Sequence, residues 1–154
     1  MRIYLDTNIF IAAFERRDAV SDRLAEMFSS GRKRKERLFA TSELTLSELL
    51  VVPMRDGNSA LAQYYSSVLS DSEWLHACPI TKPILVSAAG LRADRKGLRL
   101  PDAIHLATAL ATDCSHFLTE DNSLALAGIS AAPALDMLRP DEPTLLSLLE
   151  SLSS

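Results

Sequence analysis

The stretch Arg2-Ile-Tyr-Leu-Asp-Thr-Asn-Ile-Phe-Ile-Ala-Ala-Phe14 decides the fold. Arg2 to Leu5 forms a short apolar strand, Asp6-Thr7-Asn8 ends it, and Ile9 to Phe14 turns helical. A strand running straight into a helix opens a crossover connection, and the same alternation recurs down the chain. Val20, Leu24, Met27 and Phe28 keep helical spacing over 20–30, and Leu38-Phe-Ala40 is a second strand. Thr41-Ser42 can cap the helix that follows, which Pro53 and Asp56-Gly57-Asn58 are expected to break. A helix over 59–70, a strand from Trp74 to Cys78 and a helix from Pro83 to about Arg95 come next. Gly97 ends that helix, Pro101 opens another to about Thr112, and Ser115 to Thr119 is a strand. A last strand is placed within 129–138. Strands alternating with helices predict a parallel α/β sheet with right-handed crossovers. Such sheets bind ligands at the carboxyl ends of their strands, where strand order reverses.

The chain has 154 residues, room for one domain over 1–154. With 47% hydrophobic and 23% charged residues it is neither disordered nor low in complexity. No run approaches the ~18 apolar residues of a membrane span. Asp6 and Asn8 interrupt the N-terminal apolar run, so a signal-peptide core fails. Cys78 and Cys114 are too few for a disulfide scaffold and suit small buried hydrophobes, so a cytoplasmic location is expected. The net charge of −4 argues against a protein that coats nucleic acid, yet nine of the sixteen basic residues fall in two windows. These are Arg32 to Arg37 and Arg92 to Arg99, either of which can face solvent or a polyanion. Trp74 is expected in packing.

The acids hold the chemistry. Asp6 ends the first strand and Asp121 follows the fourth; if those strands flank the reversal of order, both carboxylates enter one crevice. Asp6 alone suits a helix cap, Asp102 after Pro101 a first-turn acid, and Asp121 an ordinary loop. Glu48 fits a capping box with Thr45. Glu43 competes with Glu48, but five positions are about 140° round a helix, so only one can face a cleft. Singly each bland account holds; together they leave unexplained why carboxylates recur where three crossovers begin. Crowded carboxylates need a cation, and oxygen ligands without cysteine or paired histidine suit Mg²⁺ or Mn²⁺. His105, one turn from Asp102, can approach the site, but among Ile104 and Leu106 it is expected in the core or at the rim.

Leu5-Asp-Thr-Asn8, Leu46-Ser-Glu48-Leu, Gly97-Leu-Arg-Leu-Pro-Asp102-Ala-Ile-His-Leu-Ala-Thr-Ala109 and Phe117-Leu-Thr-Glu-Asp121 together resemble the PIN domain, most of all VapC-type toxins of bacterial toxin–antitoxin pairs. The likeness spans nearly the whole chain in order and spacing, with Glu120 a mild departure. It implies a three-layer α/β/α fold around a five-stranded parallel sheet of order 3-2-1-4-5. It implies metal-dependent cleavage of RNA, with Mg²⁺ or Mn²⁺ held by Asp6, Glu48, Asp102 and Asp121. Asn8 and Thr119 match further polar positions of such sites, and Arg99, three residues before Asp102, is the basic residue favoured for a phosphate. It also implies a cognate antitoxin and a homodimer as partners.

Rivals fit less well. A receiver-like domain wants an acidic pair after the first strand and an Asp ending the third, where Cys78-Pro79 stands. An aspartyl phosphatase wants Asp where Asn8 stands. A stand-alone RNA-processing nuclease and a catalytically silent PIN-fold module remain the alternatives, and the intact quartet weighs against the latter.

Overall fold

Each strand hands on to a helix, and the computed structural model, which describes residues 1–124 and 135–154, has the five-stranded sheet that this implies. In chain order come β1 (Ile3–Leu5), α1 (Thr7–Glu15), α2 (Ala19–Arg32), β2 (Phe39–Ser42), α3 (Leu44–Arg55), α4 (Ser59–Val68) and β3 (Leu75–Cys78). Then follow α5 (Lys82–Asp94), α6 (Leu100–Ala111), β4 (His116–Leu118), a 3₁₀ turn (Asn122–Leu124), β5 (Asp136–Leu138) and α7 (Glu142–Ser153). The strands pair in parallel in the order β3-β2-β1-β4-β5. Order reverses between β1 and β4, which align Ile3 with His116 and Leu5 with Leu118.

Side-chain alternation along the strands divides the interior in two. Ile3, Leu5, Phe39, Leu75 and Leu118 face one layer, filled by Phe10, Leu24, Met27, Phe28, Tyr65 and Leu148. Tyr4, Ala40 and Phe117 face the other, filled from α5 and α6 by Ile84, Ala88, Leu91, Ile104 and Ala107. Gly31 of α2 passes so near the Phe39 ring that a β-carbon there would overlap it.

Three local expectations change. Pro53 lies inside α3, which runs on to Arg55. Proline removes one N–H there, but the end is near, and Asn58 N donates back to Pro53 O at 2.8 Å. Glu48 makes no capping box, because α3 begins at Leu44, whose N–H is bound by Ser42 Oγ at 3.1 Å. Helix α7 went unread: Asp141 caps it through Thr144 N at 2.8 Å, and Leu145, Leu148 and Leu152 bury one stripe. Of the last strand, expected within 129–138, Asp136–Leu138 is present, and 129–134 lie outside the described residues.

The two basic windows sit at opposite ends of the sheet. Residues 32–37 lead into the start of β2, and their guanidinium groups serve packing. Arg32 lies 4.7 Å over the Trp74 ring, Arg34 donates to Leu152 O at 2.6 Å, and Arg37 pairs with Asp71 at 2.9 Å. Residues 92–99 lead into α6, beside the carboxyl ends of β1 and β4. Cys78 and Cys114 are buried and free, with burial pushing the Cys114 thiol up to about 11. No helix of the described residues is long and apolar enough to cross a membrane.

Candidate active site

Asp6 follows β1 and caps α1, accepting from Thr7 N at 2.8 Å. Its Oδ2 accepts from the Thr119 hydroxyl at 2.7 Å, just past β4, and from Asn8 Nδ2 at 3.3 Å. The carboxylate is 7% exposed. Burial raises its pKa above the ordinary aspartate value, although His105, Thr119 and the Thr7 amide pull the other way.

Asn8 and Thr119, expected near substrate, have firm partners in the chain. Thr119 Oγ1 accepts from Asn8 Nδ2 at 3.1 Å and from Asp121 N at 3.0 Å while donating to Asp6, which uses a hydroxyl's whole capacity. Asn8 Oδ1 accepts from Glu120 N at 3.1 Å. The turn after β1 and the loop after β4 are thereby stitched together. Glu120 pairs outward with Arg16.

Asp121 follows that loop and accepts from Ser123 N at 2.8 Å and Ser123 Oγ at 2.7 Å. Those two bonds, with Arg99 beyond them, hold its pKa below the ordinary range. Asp102, in the first turn of α6, accepts from Arg99 Nε at 3.2 Å. Arg99 acts electrostatically on Glu48 and Asp121 as well, so one guanidinium stands among three of the acids.

Helix α3 turns Glu48 toward α1 and α6. Its Oε1 accepts from Thr7 Oγ1 at 2.8 Å and from His105 Nε2 at 2.6 Å. Burial opposes its ionisation, but His105 and Thr7 outweigh that and lower its pKa. Glu43 lies round the helix, lining an apolar depression with Leu46, Leu50 and Met54. One glutamate of the two faces the cleft, as the helical angle requires.

His105 is the residue whose role the sequence hid. It is 2% exposed and stands 3.8 Å from Asp6 Oδ1 as well as bonded to Glu48. Its spacing of three from Asp102 puts both on one face of α6, and a buried imidazole must find partners. That much was available; which partners was not.

Asp6 is thus linked through Thr119 to the loop of Asp121 and through His105 to Glu48, and Asp102 is matched to Arg99. Among the described residues no three acid, imidazole or thiol side chains are close enough, as they lie, to hold a metal ion. The donor set is nonetheless all oxygen, which suits a hard divalent cation, and the cluster already draws in the Arg99 cation.

The PIN domain family model matches residues 3–129, and the chain belongs to the PIN domain family. No curated protein matches it significantly. Among solved structures it is similar to a toxin–antitoxin complex from Klebsiella pneumoniae, at 24% identity and a TM-score of 0.62 over 92% of this chain and 99% of that one. It is also similar to VapBC2 from Rickettsia felis bound to a promoter DNA fragment, at 18% identity and a TM-score of 0.62 over 90% and 98%. A third is the sarcin–ricin loop cleaving toxin VapC20 from Mycobacterium tuberculosis, at 20% identity and a TM-score of 0.61 over 82% and 95%. At these identities the likeness carries the fold.

Proposed function

We propose that the chain is a metal-dependent endoribonuclease and the toxin of a toxin–antitoxin pair, acting on RNA in the cytoplasm as a single-domain homodimer restrained by its antitoxin. One observation carries the catalytic part: Asp6 is buried where strand order reverses, bonded through Thr119 to the loop of Asp121 and standing beside the His105 that holds Glu48. The toxin and antitoxin part is supported by the family and by structural likeness to toxin–antitoxin complexes.

Asp6, Asp102 and Asp121 would hold Mg²⁺ or Mn²⁺, with Glu48 completing the set. Such an ion lowers the pKa of an attacking water and offsets charge developing on the phosphate. Glu48, partly exposed, orients that water and can take its proton. Arg99, with a side chain 73% exposed, reaches the phosphate once released from Asp102. Thr119 and Asn8 hold Asp6 to the loop of Asp121.

The test is cleavage of total bacterial RNA by the purified chain with Mg²⁺, against EDTA and against Asp6→Asn and Asp102→Asn. Loss of cleavage in all three is expected; cleavage that survives EDTA and both substitutions overturns the reading. The pairing of Asp102 with Arg99 and Asp121 with Ser123 favours one second reading, a silent PIN-fold module. It predicts no cleavage by the parent chain in any divalent cation.

A further inference from the structure

Resting on that function, we propose that Tyr4 and His105 form a positioning relay that fixes Glu48 from inside the core. Tyr4 of β1 faces the α6 side of the sheet, where His105 arrives, and Asp6, just past the strand, lies 3.8 Å from the same imidazole. The Tyr4 hydroxyl lies 2.7 Å from His105 Nδ1, and His105 Nε2 lies 2.6 Å from Glu48 Oε1. The Tyr4 ring stacks on Phe117 with centroids 4.8 Å apart and meets the imidazole edge-on at 5.9 Å, so neither ring has room to swing.

The direction of the bonds follows from the partners. A carboxylate oxygen can only accept, so the imidazole carries its proton on Nε2 and donates it to Glu48. That leaves Nδ1 as an acceptor, and the buried Tyr4 hydroxyl donates to it. The Thr7 hydroxyl donates to the same Oε1, so neither bond consumes Oε2. One carboxylate oxygen is thus pinned by two donors. Orienters of this kind typically cost 10–100-fold in activity when removed.

The test uses the full chain in two ways. Nitrogen-15 NMR of the His105 imidazole should show the Nε2–H tautomer; a dominant Nδ1–H tautomer overturns the relay. On total RNA, His105→Leu, which fills the space without a donor, should lower kcat about 100-fold with KM unchanged within about twofold. His105→Gln, whose amide can accept from Tyr4 and donate to Glu48, should recover most of that loss. Tyr4→Phe should cost about tenfold in kcat and give a mixture of tautomers. Parent kcat in His105→Leu overturns the relay, as does a loss confined to KM. If His105→Leu fails to fold, Tyr4→Phe and the tautomer decide. Glu48→Gln separates the two levels: full cleavage there overturns the assigned role of Glu48, whereas an inactive Glu48→Gln beside a fully active His105→Leu overturns the relay alone.

Discussion

The Thr119 hydroxyl donates to Asp6 Oδ2 at 2.7 Å, although 113 positions separate the two residues. It joins the ends of β1 and β4 and is 3% exposed. Thr119→Val keeps the shape but strips Asp6 of a donor and leaves Asn8 Nδ2 and Asp121 N without their acceptor. A loss of about 1–3 kcal/mol in urea denaturation is expected, with Thr119→Ser recovering most of it. An unchanged midpoint for Thr119→Val would mean that the stitch carries no stability.

Protons should compete with the metal at Asp6 earlier than at an ordinary aspartate. Its folded pKa is raised, so it disfavours the fold at neutral pH, and that cost fades as pH falls through the folded value. Glu48 and Asp121 run the other way. Their folded values are lowered, so their contribution is present above the ordinary carboxylate range and is lost as pH falls through those lowered values. Mn²⁺ affinity, followed by electron paramagnetic resonance over roughly pH 4 to 7, should decline from above the ordinary aspartate range. A decline beginning only below that range would remove Asp6 from the metal set.

Glu48→Gln should abolish RNA cleavage while Glu43→Gln retains most of it, since Glu43 lines the apolar depression on the far side of α3. Cleavage assays under identical Mg²⁺ settle the pair. The reverse outcome would move the cleft to the other face of the helix.

Only the second basic window should track the RNA backbone. The sequence allows either window that role, and topology separates them. Lys96 stands between α5 and α6, next to Arg95, whose Nη2 donates to Ser123 O at 2.9 Å beside Asp121. Lys33 and Lys35 stand at the opposite sheet end. Lys96→Ala should reduce the slope of log Kd against log salt by about one, and Lys33→Ala with Lys35→Ala should leave it unchanged. Equal flattening by both would place RNA across the whole molecule.

Gly31→Ala should destabilise the fold by about 1–3 kcal/mol in thermal or urea unfolding. The added carbon meets the buried Phe39 ring, which is held edge-on by Phe28 at 5.7 Å and by Trp74 at 6.1 Å. A neutral result would show that the ring has room to shift.

Asp6 and Asp121 were legible as candidates because a polar residue directly after a short apolar strand marks the carboxyl edge of a sheet; that β1 lies beside β4 came from the family's strand order and not from the alternation. The helical angle leaves room in the cleft for one of Glu43 and Glu48, and the family motif chooses Glu48. His105 was not, because a histidine in an apolar helix shows its burial but not its partners, and these come from residues 4 and 48. Arg99 shows its spacing of three to Asp102, and the ion pair between them follows from that spacing. Helix α7 was missed although Asp141-Glu-Pro143 opens it and leucines repeat along it. Pro53 misled because a proline near a helix end removes only one bond.

Strand β1 has β4 as its neighbour on one side, so its place in the sheet is completed only after β4 has been made. Asp6 leaves the ribosome 113 residues ahead of its partner Thr119, with Asp121 close behind. A chain that stops before β4 therefore carries Asp6, Glu48 and Asp102 but lacks Thr119, Asp121 and the strand that flanks β1. On the proposed function, a frameshift upstream of β4 removes Asp121 and yields a chain that cannot cut RNA.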